Sequence, residues 1–155
     1  MDTKVASESA PRLLIPGLQA FYDFASPYTD PLMRVTLGGI LIAHGWPKLM
    51  GGVAAFAAGS MARRGLEPAM ALAYWVIFLE IVGGLCIAIG LFTRFFAAAV
   101  AIEMAVITFY AHWGFGFSWT NRGYEYPLMW GIMMFVVALR GGRMWSVDRK
   151  LGWEL

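Results

Sequence analysis

The chain has 155 residues, 59% of them hydrophobic and only 14% charged, where a soluble domain usually carries about 25% charge. A net charge of +2, with no basic stripe interleaved with aromatics, excludes a nucleic-acid binder. The single cysteine, Cys86, lies inside an apolar run, which excludes an intrachain disulfide, a cysteine-based zinc site and a CxxCH haem attachment.

In chain order, residues 1–11 are polar and expected to be disordered. The first 30 residues lack a basic start followed by an apolar stretch, so no cleavable signal peptide is expected. Residues 12–29 contain Pro16 and Pro27 and are too short and too interrupted to span a bilayer. Phe21, Tyr22, Phe24 and Tyr28 suit a segment lying flat at the membrane interface, with Phe21 and Phe24 as candidates for a partner contact.

Asp30-Pro31 reads as a helix start, with Asp30 as N-cap and Pro31 in the first turn. The first span is placed at about 31–48. Arg34, Gly38, Leu41, Gly45 and Lys48 fall on one stripe, and Gly38 and Gly45 allow a neighbouring backbone to approach closely. His44 and Lys48 are four apart and share a face. Pro47 removes a backbone bond and is expected to bend or end the helix there. Residues 49–68 form a connection with a short helix at 53–63.

Pro68 opens the second span, about 69–92, whose only charge is Glu80. About 20 residues at ~1.5 Å each cross a ~30 Å hydrocarbon core. A carboxylate at that depth costs at least ~2.5 kcal/mol unless something answers it, which makes Glu80 a functional candidate. Gly83 and Gly84 follow as close-packing positions. A tight turn at Thr93-Arg94 makes the second and third spans antiparallel neighbours. On the third span, about 95–113, Ala97, Ala101, Ala105, Thr108 and His112 form a packing face. Glu103 and Tyr110 lie on the opposite side. Glu103 then pairs with Tyr110 or Arg34, or points at another chain, so Arg34 and Glu103 join the partner-contact candidates. A glycine- and aromatic-rich turn, 114–123, leads to a fourth span at about 124–139. That span opens with Glu125 and carries Met129, Met133 and Met134 as adaptable packing. The tail, 140–155, is basic and amphipathic.

The fold class expected is all-α: an integral membrane four-helix bundle with an N-terminal interfacial segment, in contact with the lipid bilayer. Lys4, Arg12, Arg94, Arg140, Arg143, Arg149 and Lys150 fall on the side of the termini, against Lys48, Arg63, Arg64 and Arg122 on the other. That bias places both termini in the cytoplasm of a multi-pass inner (plasma) membrane protein. By the ~1.5 Å rise, Arg34 sits about 5 Å deep, Glu103 about 12 Å, Glu80 about 18 Å, His44 about 20 Å and Lys48 about 26 Å. His44 and Lys48 can therefore reach Glu80, whereas Arg34 is nearer Glu103. His44, Lys48, His112 and Glu125 converge on one outer-half cavity. Two histidines are too weak a signal for a bis-His haem, and His44, His112 and Glu125 too weak for a metal centre; no metal is assigned.

This succession resembles the DoxX family of small four-helix membrane proteins over about residues 31–151. The resemblance rests on an Arg near the start of the first span, His44-Gly45 and Lys48; on Glu80, Gly83 and Gly84; and on Gly90-Leu91-Phe92-Thr93-Arg94. It continues at Ala105 and His112, at Glu125, and at Gly142-Arg143 with Ser146 and Asp148. Glu103 replaces the apolar residue usual at its position, and the first 30 residues exceed the family's usual length. Members of the family are associated with thiosulfate-to-quinone electron transfer in some archaea and with thiol redox complexes in some bacteria. Two roles stay open, the first favoured by the cluster of buried charges and the second by the missing cysteine and cofactor motifs. One is a redox-linked subunit holding quinone or another apolar ligand at His44, Glu80 and Lys48, with His112 and Glu125 at the mouth. The other is a scaffold without chemistry, a protein-partner or homo-oligomer contact made through the aromatic N-terminal segment, Glu103 and the basic tail.

Overall fold

The computed structural model describes residues 11–154, so the polar lead expected over residues 1–11 lies, apart from Pro11, outside the described residues. Within them the regular structure is helical throughout. Helix α1 covers Gln19–Ala25 and α2 Thr29–Met50. Next come α3, Val53–Arg64, α4, Ala69–Ile89, and α5, Thr93–Phe115. Helix α6 is Glu125–Arg140 and α7 is Val147–Leu151. Helices α2, α4, α5 and α6 form a four-helix bundle in which α2 packs on the second half of α4 and α5 runs along α6. Helices α4 and α5 are each long and apolar enough to cross a membrane, and the run Pro16–Met50 with α3 makes a third such element, bent by 102°. The chain is an all-α membrane protein. Helix α6, at 16 residues, measures about 24 Å, short of a ~30 Å hydrocarbon core.

Local chemistry places several boundaries away from their expected positions. The N-terminal segment is not set apart from the first span: Pro27 falls in the opening of the 3-10 turn Ser26–Tyr28, where its missing N–H has no bond to make, and the chain is helical without a break from Pro16 to Met50. Asp30 is not the N-cap. It lies inside the first turn of α2, and both of its carboxylate oxygens accept from Arg140, at 2.7 and 2.9 Å. Pro47 does not end α2, which continues to Met50. The stop is Gly51-Gly52, with Gly52 at φ +95°, and α3 then folds back across the bundle. The α4–α5 turn is not at Thr93-Arg94 but at Gly90–Phe92. Gly90, at φ +75°, takes the left-handed position, Leu91 N–H bonds Cys86 O at 2.8 Å and Gly90 N–H bonds Ile87 O at 3.2 Å. That is the Schellman ending of α4. Thr93 is already the first residue of α5.

Leu37, Leu41, Leu79, Ile87, Val100, Trp130 and Met134 fill the core. The α2–α4 contact is made glycine to glycine. A Cβ on Gly38 would press on the Gly84 carbonyl and come within 2.9 Å of Ala88 N, and one on Gly84 would lie 2.8 Å from Gly38 O. Both obstacles are backbone, so the helices would have to separate. Gly39, one residue on, faces open space. Gly38→Ala should cost about 1–3 kcal/mol of stability in detergent or nanodisc unfolding, while Gly39→Ala, relieved of glycine's helix penalty, should be neutral or slightly stabilising. Equal effects of the two would contradict this packing.

The tail does more than line a surface. Asp148 is fully buried and accepts from Phe92 N–H at 2.7 Å, Thr93 N–H at 2.9 Å and the Thr93 hydroxyl at 2.7 Å. Those amides are open donors at the start of α5, so a residue 55 positions downstream of Thr93 serves as their cap. Arg34, 2% exposed, donates to Met144 O and Trp145 O rather than reaching Glu103. Arg94 bonds Glu154 and the last carbonyls of α6, Ala138 O and Leu139 O. Arg140 holds Asp30 in an ion pair, with Arg143 3.9 Å away. Asp148→Ala would strand three buried donors at about 1–3 kcal/mol each, not fully additive. We expect a loss of at least about 3 kcal/mol and faster proteolysis of residues 141–154; an unchanged melting curve would remove the tail from the account of stability.

Candidate functional site

The end of the bundle away from this clasp is built around one ion pair. Gly45 lets α4 approach α2 so closely that a Cβ there would lie 2.8 Å from the Glu80 Cβ. Glu80 sits on a π-helical turn, Leu79–Gly83. Such turns swing a side chain out of the ordinary helical register and recur at functional sites. Its side chain, 4% exposed, accepts through Oε1 from the Lys48 ammonium. Oε2 has no partner among the described residues. The Lys48 Nζ also stands 5.1 Å from the centre of the Phe56 ring, so α3 covers the pair from the side.

A cavity of about 550 Å³ opens beside the pair. His44, Lys48, Glu80 and His112 supply its ionisable groups, and Leu41, Tyr126 and Trp130 are among its apolar and aromatic walls. His112 ends a second π-helical turn, Ile107–His112, and its Nδ1 bonds the Arg122 carbonyl at 2.6 Å. A carbonyl can only accept, so Nδ1 is the donor in this bond and Nε2 is left facing elsewhere. The structure thus brings together His44, Lys48, Glu80 and His112.

Three expectations need correcting. Glu125 does not join the cavity; its Oε2 accepts from Trp119 N–H at 3.2 Å and so ties down the loop before α6. That loop matters, because Trp119 and Arg122 themselves reach the cavity wall. Glu103 neither pairs with Tyr110 or Arg34 nor faces outward. It is 9% exposed, both carboxylate oxygens lack a partner among the described residues, and it lines a second cavity of about 320 Å³ together with Lys48. The Tyr110 hydroxyl bonds Arg64 O instead, at 2.7 Å. The small-residue face of α5 is also displaced: Ala97 and Thr108 are buried, but Ala105 is exposed, and Phe96, Val100, Glu103 and Met104 complete the buried arc. Helix α5 is gripped from two sides, by α4 and by α6, so its buried surface is wider than one alanine stripe. Gly38, Gly45, Gly83 and Gly84 all lie at helix contacts, Gly83 against the Phe96 ring. Of the partner-contact candidates, Arg34 is buried, while Phe21 and Phe24 stay 61% and 69% exposed. Among the described residues, no three His, Cys, Asp or Glu side chains gather as a metal site.

The fold and this cavity define a small helical membrane protein with an ion-paired, mostly apolar chamber inside its bundle. The family model DoxX matches residues 30–113, more than half of the chain, and the chain belongs to the DoxX family. The matched region contains His44, Lys48, Glu80, Glu103 and His112 and stops before α6. No curated protein and no solved structure matches the chain.

Removing one partner of a buried ion pair leaves the other charge unanswered. Lys48→Met should therefore lower stability by about 3 kcal/mol. Lys48→Met combined with Glu80→Leu should recover most of that loss, because a buried pair replaced by apolar groups is often neutral. A double variant as unstable as the single one would show that the pair is not what holds this end together.

Proposed function

We propose that this DoxX-family protein is a multi-pass subunit with four spans and both termini in the cytoplasm, and that its 550 Å³ cavity binds an apolar molecule with a quinone-like head. The observation that carries this is the lining itself. Apolar and aromatic walls meet one ion pair, two histidines and Arg122, with Tyr126, Trp119 and Trp130 adding a hydroxyl and indole N–H groups, the pattern of a ligand pocket of a few hundred Å³. A quinone head carries two carbonyl acceptors. Lys48 and His44 can each donate to one, Trp130 and Tyr126 flank the ring, and Glu80 Oε2 is free to exchange a proton with it. His44 is the most informative of these residues, because no hydrogen bond ties it to a described residue and its loss leaves the Lys48–Glu80 pair intact. On this view the protein belongs to a redox-linked assembly whose electron carriers are supplied by other subunits.

A scaffold role is favoured by a separate observation. Helix α1 packs chiefly against the short turns that flank it in the chain, and Phe21 and Phe24 stay exposed. The two readings predict different co-purifying species. In nanodiscs, a short-chain ubiquinone analogue should raise the melting temperature, and His44→Leu should weaken its binding about tenfold, the loss of one hydrogen bond to the head. Native mass spectrometry after mild extraction should detect bound quinone in the wild type. If neither technique detects quinone, while Phe21→Ser with Phe24→Ser releases a co-purifying membrane protein, the scaffold reading stands instead.

A further inference from the structure

The second cavity lies between α3, α4 and α5 and shares Lys48 and His112 with the first. Glu103 points into it with both oxygens buried and unpartnered. The charges around it can be counted. Lys48 comes from α2, Glu80 from α4 and Glu103 from α5. Arg64 of α3 lies at the exposed rim with Nη1 on Ser60 O, Tyr110 is bonded to Arg64 O, and His112 is bonded to Arg122 O. His44 and Arg122 line the first cavity from exposed positions and Lys48 is a quarter exposed, so the buried charged groups are the two carboxylates, with the half-buried Lys48 ammonium beside Glu80. One negative charge is in excess in a region where an unanswered charge is costly.

We propose that Glu80, Lys48 and Glu103 form a proton-holding triad, with one exchangeable proton on Glu103, and that the second cavity is the route by which protons enter and leave the triad while Glu80 exchanges protons with the first. Lys48 is the link. Its ammonium now contacts Glu80, and its side chain borders both cavities. When Glu80 gives up its charge by taking a proton from a ligand, Lys48 is free to turn to Glu103. Glu103 then releases its proton into the second cavity, and the cluster keeps the same net charge. The reverse sequence delivers a proton to the ligand. No bond other than these O–H bonds is made or broken, and no electron moves within the triad. This proposal deepens the ligand-cavity reading and rests on it for the proton's destination, but the charge count itself does not depend on any ligand.

The test is infrared difference spectroscopy of the carboxylic acid C=O stretch at neutral pH, in nanodiscs without added quinone. The wild type should show one buried protonated carboxyl, and Glu103→Gln should abolish its band. Glu80→Gln should abolish it as well, since Lys48 then pairs with an ionised Glu103. A neutral Glu103 with only a packing role would keep its band in Glu80→Gln, and that result, or the absence of any such band in the wild type, would overturn the triad. If Glu103→Gln does not fold, Glu103→Asp serves instead and should shift the band without removing it; an unmoved band would again overturn the assignment. Quinone binding is measured separately, so a protein that shows the band pattern and binds no quinone would refute the ligand reading while leaving the triad standing.

Discussion

Hydrocarbon offers a buried charge no answer, so each one inside this bundle must be met by the chain itself. The Lys48–Glu80 pair is where that constraint bears hardest, and neighbouring features serve it. Gly45 brings the two helices within reach, and the π-helical turn at Leu79–Gly83 puts Glu80 near the α2–α4 contact. Helix α2 has to continue through Pro47 to carry Lys48 in its last turn, and α3 has to fold back at Gly51-Gly52 to lay Phe56 beside the ammonium. Neither proline nor the glycine pair is a defect in a spanning helix; together they set where it stops and which way the arm leaves. The pair leaves Glu80 Oε2 and the whole Glu103 carboxylate unmatched, so polarity is concentrated at one end without being used up there.

The opposite end meets the same constraint with backbone in place of side-chain charge. A turn as tight as Gly90–Phe92 leaves amides at the start of α5 that nothing nearby in sequence satisfies. Asp148 satisfies them from the tail, Arg34 satisfies tail carbonyls from α2, and Arg94 satisfies the last carbonyls of α6. Each bond joins segments far apart in the chain, so the clasp closes the bundle topologically as well as chemically. A Cβ at Gly90 would run into both the Arg34 guanidinium and the Ser146 side chain, which is why a glycine is needed there beyond its left-handed φ of +75°.

The helical class and the order of the elements were legible from hydropathy, spacing and the helical rise, and so was the reach of both His44 and Lys48 to Glu80, but not which of the two pairs with it. Those are local or one-dimensional properties, and a lysine about one and a half turns deeper than a carboxylate can reach it from many helix azimuths. Azimuth itself was not legible. Glu103 was assigned outward because alanines mark close approach, and α5 has alanines on a side that faces open surface at Ala105. Deciding which side of α5 is inside requires knowing that α3 folds back over it, and the signal for that, Gly51-Gly52, reads equally well as an ordinary loop. Glu125 was misplaced for a related reason: the loop before α6 turns its first residue toward Trp119 N–H, and hydrogen bonds of that kind leave no periodic trace. Asp148 was visible as a motif residue in the tail, but the donors it caps are fixed by the Schellman turn 55 or more residues earlier.

The separation of the two ends has a functional consequence. At the clasp, Asp148 and its Thr93 partners are matched, so a rearrangement there would strip buried donors of their acceptor, although the buried Arg34 Nε and Nη1 have no partner among the described residues. At the cavity end, Glu80 Oε2 and both Glu103 oxygens have no partner among the described residues, and Lys48, paired with Glu80, lines the same cavity as Glu103. On the triad proposal, a bundle held at one end by matched backbone donors can change protonation at the other without changing fold, and that division would let a chain this small keep carboxylates inside a membrane with their protons exchangeable.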